Sequence, residues 1–376
     1  MFKKGAKYIL DILVRGIEGI TLPFNSNKIL IVRLDAIGDY ILFRNFLYTL
    51  KSSKKYGKYK YTLLGNIIYK ELAETFDAEL FESFIWIKPN TLVEKFGYGK
   101  IRLMLQLKLK RFDVLINPVH SKIIFIDKFL ATCGAKKKIA SSGDEVNSRH
   151  NFELSNSYYD EIIAVSGIEH FEFFRNKLFI ENITGEKFET ELKFNRKKKD
   201  GICKIIVIVP GAGSEFRRWS TLNFSILIDL ITTEINAEYV IQILGSAEET
   251  SLGEEIILKS KYKKNIQNLA GTTTLVEVID IINNANLVIS NETSTVHIAA
   301  ALNTNAICIS NGNHFGRFNP YPASLRQNIL TVYPNTSLTN KEMVNQNAEL
   351  YKFSSDLNIN DIHPEKVLKL VVNLLD

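Results

Sequence analysis

Short, β-branched apolar runs alternate along this chain with longer runs whose apolar positions recur at helical spacing. Lys28–Leu34 is almost continuously apolar, as expected of a strand buried on both faces of a parallel sheet. Asp39–Lys51 follows, with Leu42, Phe43, Phe46, Leu47 and Leu50 on one helical face. Tyr61–Leu64 predicts a second strand and Asn66–Phe76 a second helix. Phe84–Ile87 and Val114–Ile116 predict further strands, with a helix over Leu92–Leu109 between them. The polar, charged segment Lys187–Lys199 then breaks the pattern, and beyond it the alternation restarts. Strands over Lys204–Val209, Tyr239–Leu244, Leu287–Ser290 and Ala306–Ile309 are interleaved with helices over Leu222–Thr233, Ala247–Lys259, Leu275–Asn283 and Thr293–Leu302. Pro364–Leu375 reads as a last amphipathic helix. Two doubly wound α/β domains in series follow from this pattern.

The N-terminal stretch has its own pattern. Lys4, Lys7, Asp11, Arg15 and Glu18 share one helical stripe, and Ile9, Ile12, Leu13, Gly16 and Ile20 the other. Such an amphipathic helix suits either contact with a membrane surface, lysines at the headgroups, or packing on its own domain. It begins like a signal peptide, but Asp11, Arg15 and Glu18 interrupt the apolar part and no small-residue cleavage site follows. We therefore expect mature protein here.

A length of 376 residues suits two domains, and 45% hydrophobic with 23% charged residues suits a globular chain. The 20 glycines and 8 prolines are too few for a collagen-like chain or long flexible linkers. A net charge of +6, spread over this length, favours an anionic small substrate or membrane surface over nucleic acid. The short basic stretches Lys108–Arg111, Lys136–Lys138 and Arg196–Lys199 read as solvated loops or helix ends. Cys133, Cys203 and Cys308 lie far apart, which excludes a zinc spacing or a disulfide framework and points to a reducing cytoplasm. No stretch reaches the ~18 apolar residues of a spanning helix.

Ligands of doubly wound sheets bind beyond the carboxyl ends of the strands. Five places qualify. In Arg33–Asp39, a glycine turn leads into a helix opened by Asp39, whose carboxylate is stabilised by the helix dipole and is placed to act as a base; it equally suits a plain first-turn residue. Val209–Ser214 offers Gly211 and Gly213, with Arg217, Arg218 and Trp219 close behind: a turn that lets backbone approach a diphosphate. It is no dinucleotide fingerprint, since Phe216 stands where a third glycine is needed, and no P-loop. Leu244–Glu249 places acidic residues where ribose hydroxyls could bind or a helix be capped. Asn268–Leu275 caps a helix with threonines and could wall a base pocket. Ile289–His297 runs a strand into a helix through Glu292, Thr293, Ser294 and Thr295, a natural phosphate seat. His297, one turn in, fits a core histidine or a ligand contact. HExxH, GxSxG and protein-kinase motifs are absent, and so is a DxD metal motif.

Together these pieces resemble glycosyltransferase family 9, the heptosyltransferases of lipopolysaccharide assembly. KILIVRLDAIGDYILFRNFLYTLK looks like the family's opening strand–turn–helix. VIVPGAGSEFRRWSTLNFSILIDLI looks like its HPG…(K/R)xW element, and NLAGTTTLVEVIDIINNANLVISNETSTVHIAAALNTNAICI like its long C-terminal signature. The resemblance implies a GT-B fold: two Rossmann-like domains facing across a cleft, with the last helix returning to the first domain. We accordingly expect an N-terminal helix over 1–26, an acceptor domain over 27–195, a nucleotide-sugar domain over 196–350 and the returning helix within 351–376.

The resemblance further implies an inverting, metal-independent transfer without a cofactor, from a nucleotide sugar, most simply ADP-heptose, to a glycolipid or surface-glycan hydroxyl. Asp39 matches the family's catalytic aspartate, the general base. On the donor side, Arg217 matches the basic residue at the diphosphate. Glu248, or Glu249 by a one-residue shift, matches the acidic residue at the ribose. Glu292 and Thr293 match the start of the phosphate-binding helix, and His297 its histidine. Gly211, Gly213, Ser294 and Thr295 complete the expected donor contacts. Arg33, His120 and Lys122, at strand ends of the first domain, are expected to face the acceptor. The chain departs from the family at Val209, Glu292, Ser294 and Asn305, where histidine, aspartate, glycine and proline are usual. Those changes keep open a GDP- or UDP-linked hexose donor, or a non-catalytic binding role. A nicotinamide oxidoreductase is disfavoured by the missing third glycine. A cytoplasmic protein, in contact with the inner leaflet through its N-terminal helix, is the expected setting.

Overall fold

The computed structural model describes residues 26–93, 98–144, 147, 151–165, 171–199, 204–235, 238–334, 338, 344–351 and 354–375. The N-terminal amphipathic helix lies outside the described residues. The chain divides into two compact units: Met1–Gly167 with Arg175–Thr190, and Ile168–Phe174 with Glu191–Asp376. The changeover at Thr190 falls inside the polar segment Lys187–Lys199.

The first unit is built on β1 (Lys28–Arg33), α1 (Ile37–Ser52), β2 (Lys60–Asn66), α2 (Lys70–Phe76) and β3 (Ser83–Ile87). There follow α3 (Asn90–Val93), α4 (Tyr98–Lys110), β4 (Val114–Asn117), α5 (Ile124–Ala131), β5 (Lys137–Ser141), α6 (Phe152–Asn156) and β6 (Glu161–Ile163). Helix α7 (Glu172–Thr184) comes next in the chain. The strands form one parallel sheet in the order β3-β2-β1-β4-β5-β6. Ile29, Leu30, Ile31 and Val32 are all fully buried, because β1 is central and covered on both faces. The single helix expected over Leu92–Leu109 is two, α3 and α4. The basic stretch Lys136–Lys138 runs into strand β5 rather than ending a loop; its lysines pair with Asp113, Glu161 and Asp160.

The second unit repeats the plan with β7 (Ile205–Val209), α8 (Thr221–Glu234), β8 (Val240–Ile243), α9 (Thr250–Lys259), β9 (Ile266–Asn268) and α10 (Leu275–Asn284). Then come β10 (Leu287–Asn291), α11 (Ser294–Leu302), β11 (Ala306–Ile309), β12 (Ile329–Val332), α12 (Val344–Leu350) and α13 (Pro364–Leu375). Its sheet is also parallel, ordered β12-β11-β10-β7-β8-β9. The strand order reverses between β7 and β10, whose carboxyl ends lie side by side.

The last helix, expected to return to the first domain, packs on the second unit's own helix α8 and strands β10, β11 and β12. Val367, Leu368 and Val371 on α13, with Ile359 and Ile362 before it, join the second core. Each such burial contributes about 1.5–3 kcal/mol, and that stripe is what seats the helix here.

Candidate functional site

In the first unit the chain leaves β1 through Leu34, Asp35 and Ala36 and enters α1. Ala36 caps the helix without a side-chain bond, and its N–H donates to Asp39 Oδ2 at 3.3 Å. Asp39 thus sits in the first turn, half-buried, where N–H groups and the helix dipole favour its ionised form. Arg33, expected to face the acceptor, is turned inward. It is fully buried beneath the turn, donating from Nη2 to the Asp39 carbonyl at 2.8 Å and pairing with Asp35 Oδ2 at 2.8 Å.

His120 and Lys122 also differ from expectation: they are buried, at 7% and 2% exposure. Lys122 Nζ donates to Asn156 Oδ1 at 2.6 Å and stands 4.5 Å from the centre of the Tyr159 ring. Burial pulls its ammonium down to about 8, against the pull of Asp127. The Asp127 carboxyl is itself pushed up by burial, while Ser155, Tyr159 and Asn117 donate to it. His120 Nδ1 lies 3.4 Å from Ser141 Oγ, and Nε2 3.7 Å from Asp144 Oδ2. These two residues tie the loop after β4 to β5, α5 and α6. Charged groups this deep persist because polar partners replace lost water.

In the second unit, four strand-end features follow the neighbouring strands β10, β7, β8 and β9. The turn after β7 runs Pro210-Gly211-Ala212-Gly213. Arg218 clasps it, donating from Nε and Nη2 to the Ala212 carbonyl at 3.2 and 3.1 Å. Arg217 lies over Gly213, where an added Cβ would come within 2.9 Å of its Nη2. Arg217 Nε is buried without a hydrogen-bond partner. The carboxylate brought to this turn belongs to Glu249, not Glu248. A Cβ on Gly211 would collide with the Glu249 carboxylate, which accepts from Ser246 N at 2.8 Å and Ser246 Oγ at 3.0 Å. Glu248 is exposed.

Next to the glycine turn, β10 feeds α11. Thr293 caps the helix, its Oγ1 accepting from Thr295 N at 3.3 Å and meeting Ser290 Oγ at 3.1 Å. Ser294 is half-buried and Thr295 buried. Glu292 is buried, and Ser310 Oγ donates to its Oε2 at 2.7 Å. Burial raises the Glu292 carboxyl; the Ser310 hydroxyl and the Arg217 charge oppose that rise. His297 is a core histidine, with Nδ1 2.6 Å from the Tyr321 hydroxyl and Phe318 beside the ring. Burial pulls it down to about 4, so it is neutral near pH 7.

Sequence reasoning missed Asn291. Its amide donates to the Pro210 carbonyl at 2.7 Å and its oxygen accepts from Trp219 N at 3.2 Å, locking the glycine turn to β10. Its place at a strand end beside Glu292 was the available signal. Trp219 in turn donates from Nε1 to the Ile362 carbonyl at 2.8 Å, and Ser220 N donates to Asn360 Oδ1 at 2.9 Å. No three His, Cys, Asp or Glu side chains come together as a metal cluster among the described residues. No described helix is long and apolar enough to cross a membrane.

Comparison with known proteins bears on these edges. A profile of Glycosyltransferase family 9 (heptosyltransferase) matches residues 128–349. The lipooligosaccharide heptosyltransferase 2 of Haemophilus influenzae is 34% identical over 130 residues, 33% of this chain and 36% of that protein. The lipopolysaccharide heptosyltransferase 2 of Salmonella typhimurium is 27% identical over 168 residues, 43% and 45% of the two chains. The chain therefore spans less than half the length of these two relatives. Among solved structures, E. coli ADP-heptose lipopolysaccharide heptosyltransferase II superposes with a TM-score of 0.68 at 16% identity, over 93% of this chain and 98% of its own. An E. coli heptosyltransferase solved with ADP gives 0.70 at 14% identity, over 92% and 99%. These likenesses assign the fold, two Rossmann-like α/β units of the GT-B class. The profile covers more than half of the chain, and the protein accordingly belongs to glycosyltransferase family 9.

Proposed function

We propose that this protein transfers a heptose from ADP-heptose to a hydroxyl of a lipopolysaccharide-type acceptor, with inversion and with no metal in the chemical step. One observation carries the reading: a glycine turn, Arg217, Glu249 and the N-terminus of α11 meet at the neighbouring carboxyl ends of β7 and β10. That edge suits a nucleoside diphosphate. Backbone N–H groups and Arg217 meet the phosphates, while Glu249 accepts from ribose hydroxyls. The resemblance of the glycine and Glu292–His297 segments to the family supplies the sugar, as do the relatives named for heptose transfer.

In this reading the second unit holds the donor and the first supplies Asp39 as base. The acceptor oxygen gives its proton to the Asp39 carboxylate and bonds to the anomeric carbon. The bond from that carbon to the diphosphate breaks, and ADP leaves with the electron pair. Arg217, the α11 N–H groups and the Thr293 and Thr295 hydroxyls stabilise the charge growing on the diphosphate. Two further points are part of the proposal: Glu292 holds Arg217 in place from behind, and the chain works at the inner face of the membrane.

A thermal-shift panel with ADP, GDP, UDP, CMP and NAD in EDTA tests the donor. Ligand at ~100 times its dissociation constant stabilises by about 2.7 kcal/mol. A shift with ADP alone supports the reading; a shift with GDP or UDP instead replaces the donor. Transfer of heptose from ADP-heptose to a heptose-deficient lipopolysaccharide, undiminished by EDTA, completes the test. Absence of transfer from a chain that binds ADP would overturn the enzymatic reading.

A further inference from the structure

Under the Asp39 turn lies a charge that the reaction as written does not use. The Arg33 guanidinium is fully buried and stacks 4.6 Å from the centre of the Phe43 ring. Its Nη2 reaches Asp35 Oδ2 and the Asp39 carbonyl, each at 2.8 Å. Nε and Nη1 have no hydrogen-bond partner. An arginine sunk this far, with two donor nitrogens unsatisfied, destabilises the fold unless its contacts repay the lost solvation.

The rest of the turn is braced from β2. The Tyr69 hydroxyl donates to the Arg33 carbonyl and accepts from Asn66 N at 3.2 Å. The Asn66 amide donates to the Asp35 carbonyl at 3.0 Å. Arg33, Asp35 and Asp39 all act electrostatically on the Tyr69 hydroxyl, so the three charges share one small region.

We propose that Arg33 is a positioning residue for proton transfer: it grips the first turn of α1 at the Asp39 carbonyl and neutralises Asp35, which leaves the Asp39 carboxylate aimed and ionised as the reaction needs. This rests on the reading of Asp39 as base. Asp35 is a second carboxylate in the same turn, and an uncompensated like charge raises the pKa of its neighbour. Arg33 cancels that effect. One nitrogen, Nη2, serves both oxygens, and the planar guanidinium is held in that direction by its stacking on Phe43, which a lysine ammonium on a flexible stem does not reproduce. The titratable or charged groups close to Asp39 include Arg33 from β1, Asp35 in the turn and Tyr69 after β2. Burial lifts the Tyr69 phenol well above its ordinary value, so it stays neutral and adds no charge.

The test is the pH dependence of kcat, measured on the full chain with ADP-heptose and heptose-deficient lipopolysaccharide. Variants are Arg33→Met, Arg33→Lys and the pair Arg33→Met with Asp35→Asn, with Asp39→Asn as control. ADP thermal shift verifies the donor unit in each. Arg33→Met should move the acidic limb of the kcat profile up by about one pH unit and lower the plateau about tenfold, with acceptor KM nearly unchanged. The double variant should return the limb to its wild-type position. Arg33→Lys should keep the limb and lose part of the plateau.

An unmoved limb in Arg33→Met, or a loss confined to acceptor KM, overturns the proposal. If Arg33→Met does not fold, the other two variants decide: an unchanged plateau in Arg33→Lys, or a displaced limb in the folded double variant, overturns it. Undiminished transfer by Asp39→Asn would instead sink the base assignment itself, whatever Arg33 does.

Discussion

At the end of β1 the chain buries an arginine beneath a turn that presents a carboxylate. At the end of β7 it lays down glycine, alanine and glycine, and sets its arginines around them. The two sheets share one plan, six parallel strands with a central switch, so the contrast comes from side chains and not from topology. In the first unit the polar groups of the edge are turned inward: Arg33, His120 and Lys122 brace loops from within. In the second unit the backbone itself is left bare at Gly211 and Gly213, and Arg217 Nε is unspent. On the proposed reading, one edge aims a single group and the other receives a ligand.

The contrast can be broken most sharply at Asp39. Asp39→Asn should lower transfer about 10³-fold while ADP binding, read by thermal shift, stays at the wild-type level. A parallel loss of ADP binding would mean the two edges do not divide the work as described. Next in size are changes at the receiving edge. Gly211→Ala forces a methyl into the Glu249 carboxylate, and Arg217→Ala removes a charge-assisted contact. Each should weaken ADP binding by roughly 10- to 100-fold in calorimetric titration, with circular dichroism of the variant unchanged.

A smaller effect sharpens the register. Glu249→Ala should weaken ADP binding about tenfold and Glu248→Ala less than about twofold, since only the former reaches the glycine turn. The reverse order would restore the alignment expected from sequence.

The smallest effects are in how stability follows pH. Lys122, ordinarily near 10.5, is held at about 8, so the unfolded chain binds the extra proton between those values and stability gains as pH rises through them. His297, ordinarily near 6.5, is held at about 4, so stability is lost as pH falls from 6.5 towards 4. Thermal unfolding against pH should show Lys122→Met flattening the alkaline slope and His297→Gln the acidic one. Interchanged slopes would contradict the burial described for each.

The fold was legible because both sheets are parallel and their central strands are continuous apolar runs, as in Lys28–Leu34 and Lys204–Val209. Short edge strands such as Glu161–Ile163, Ile266–Asn268 and Ile329–Val332 carry too few residues to declare a period, and none of them was foreseen. Places rich in glycine and hydroxyl residues were readable because small residues at strand ends have few other uses. Side-chain direction was not. Nothing in Asn117–Lys122 announces that His120 and Lys122 turn inward, because their partners Ser141, Asp144 and Asn156 come from distant segments. Choosing Glu249 over Glu248 likewise depended on a single 3-10 turn, Ala247–Glu249, that rotates one carboxylate towards Gly211 and the other to solvent.

The anchor of the glycine turn has a bearing on how the protein is made. Trp219 and Ser220 are fastened to Ile362 and Asn360, and Ile359, Ile362, Val367, Leu368 and Val371 help fill the second core. As the chain leaves the ribosome, every strand of the first sheet emerges well before residue 200 and can begin to pair. In the second unit, the turn after β7 gains its fastening to Asn360 and Ile362 only once those residues have been made. On the proposed reading, vectorial synthesis thus makes the turn that aims the carboxylate before the contacts that fasten the donor edge.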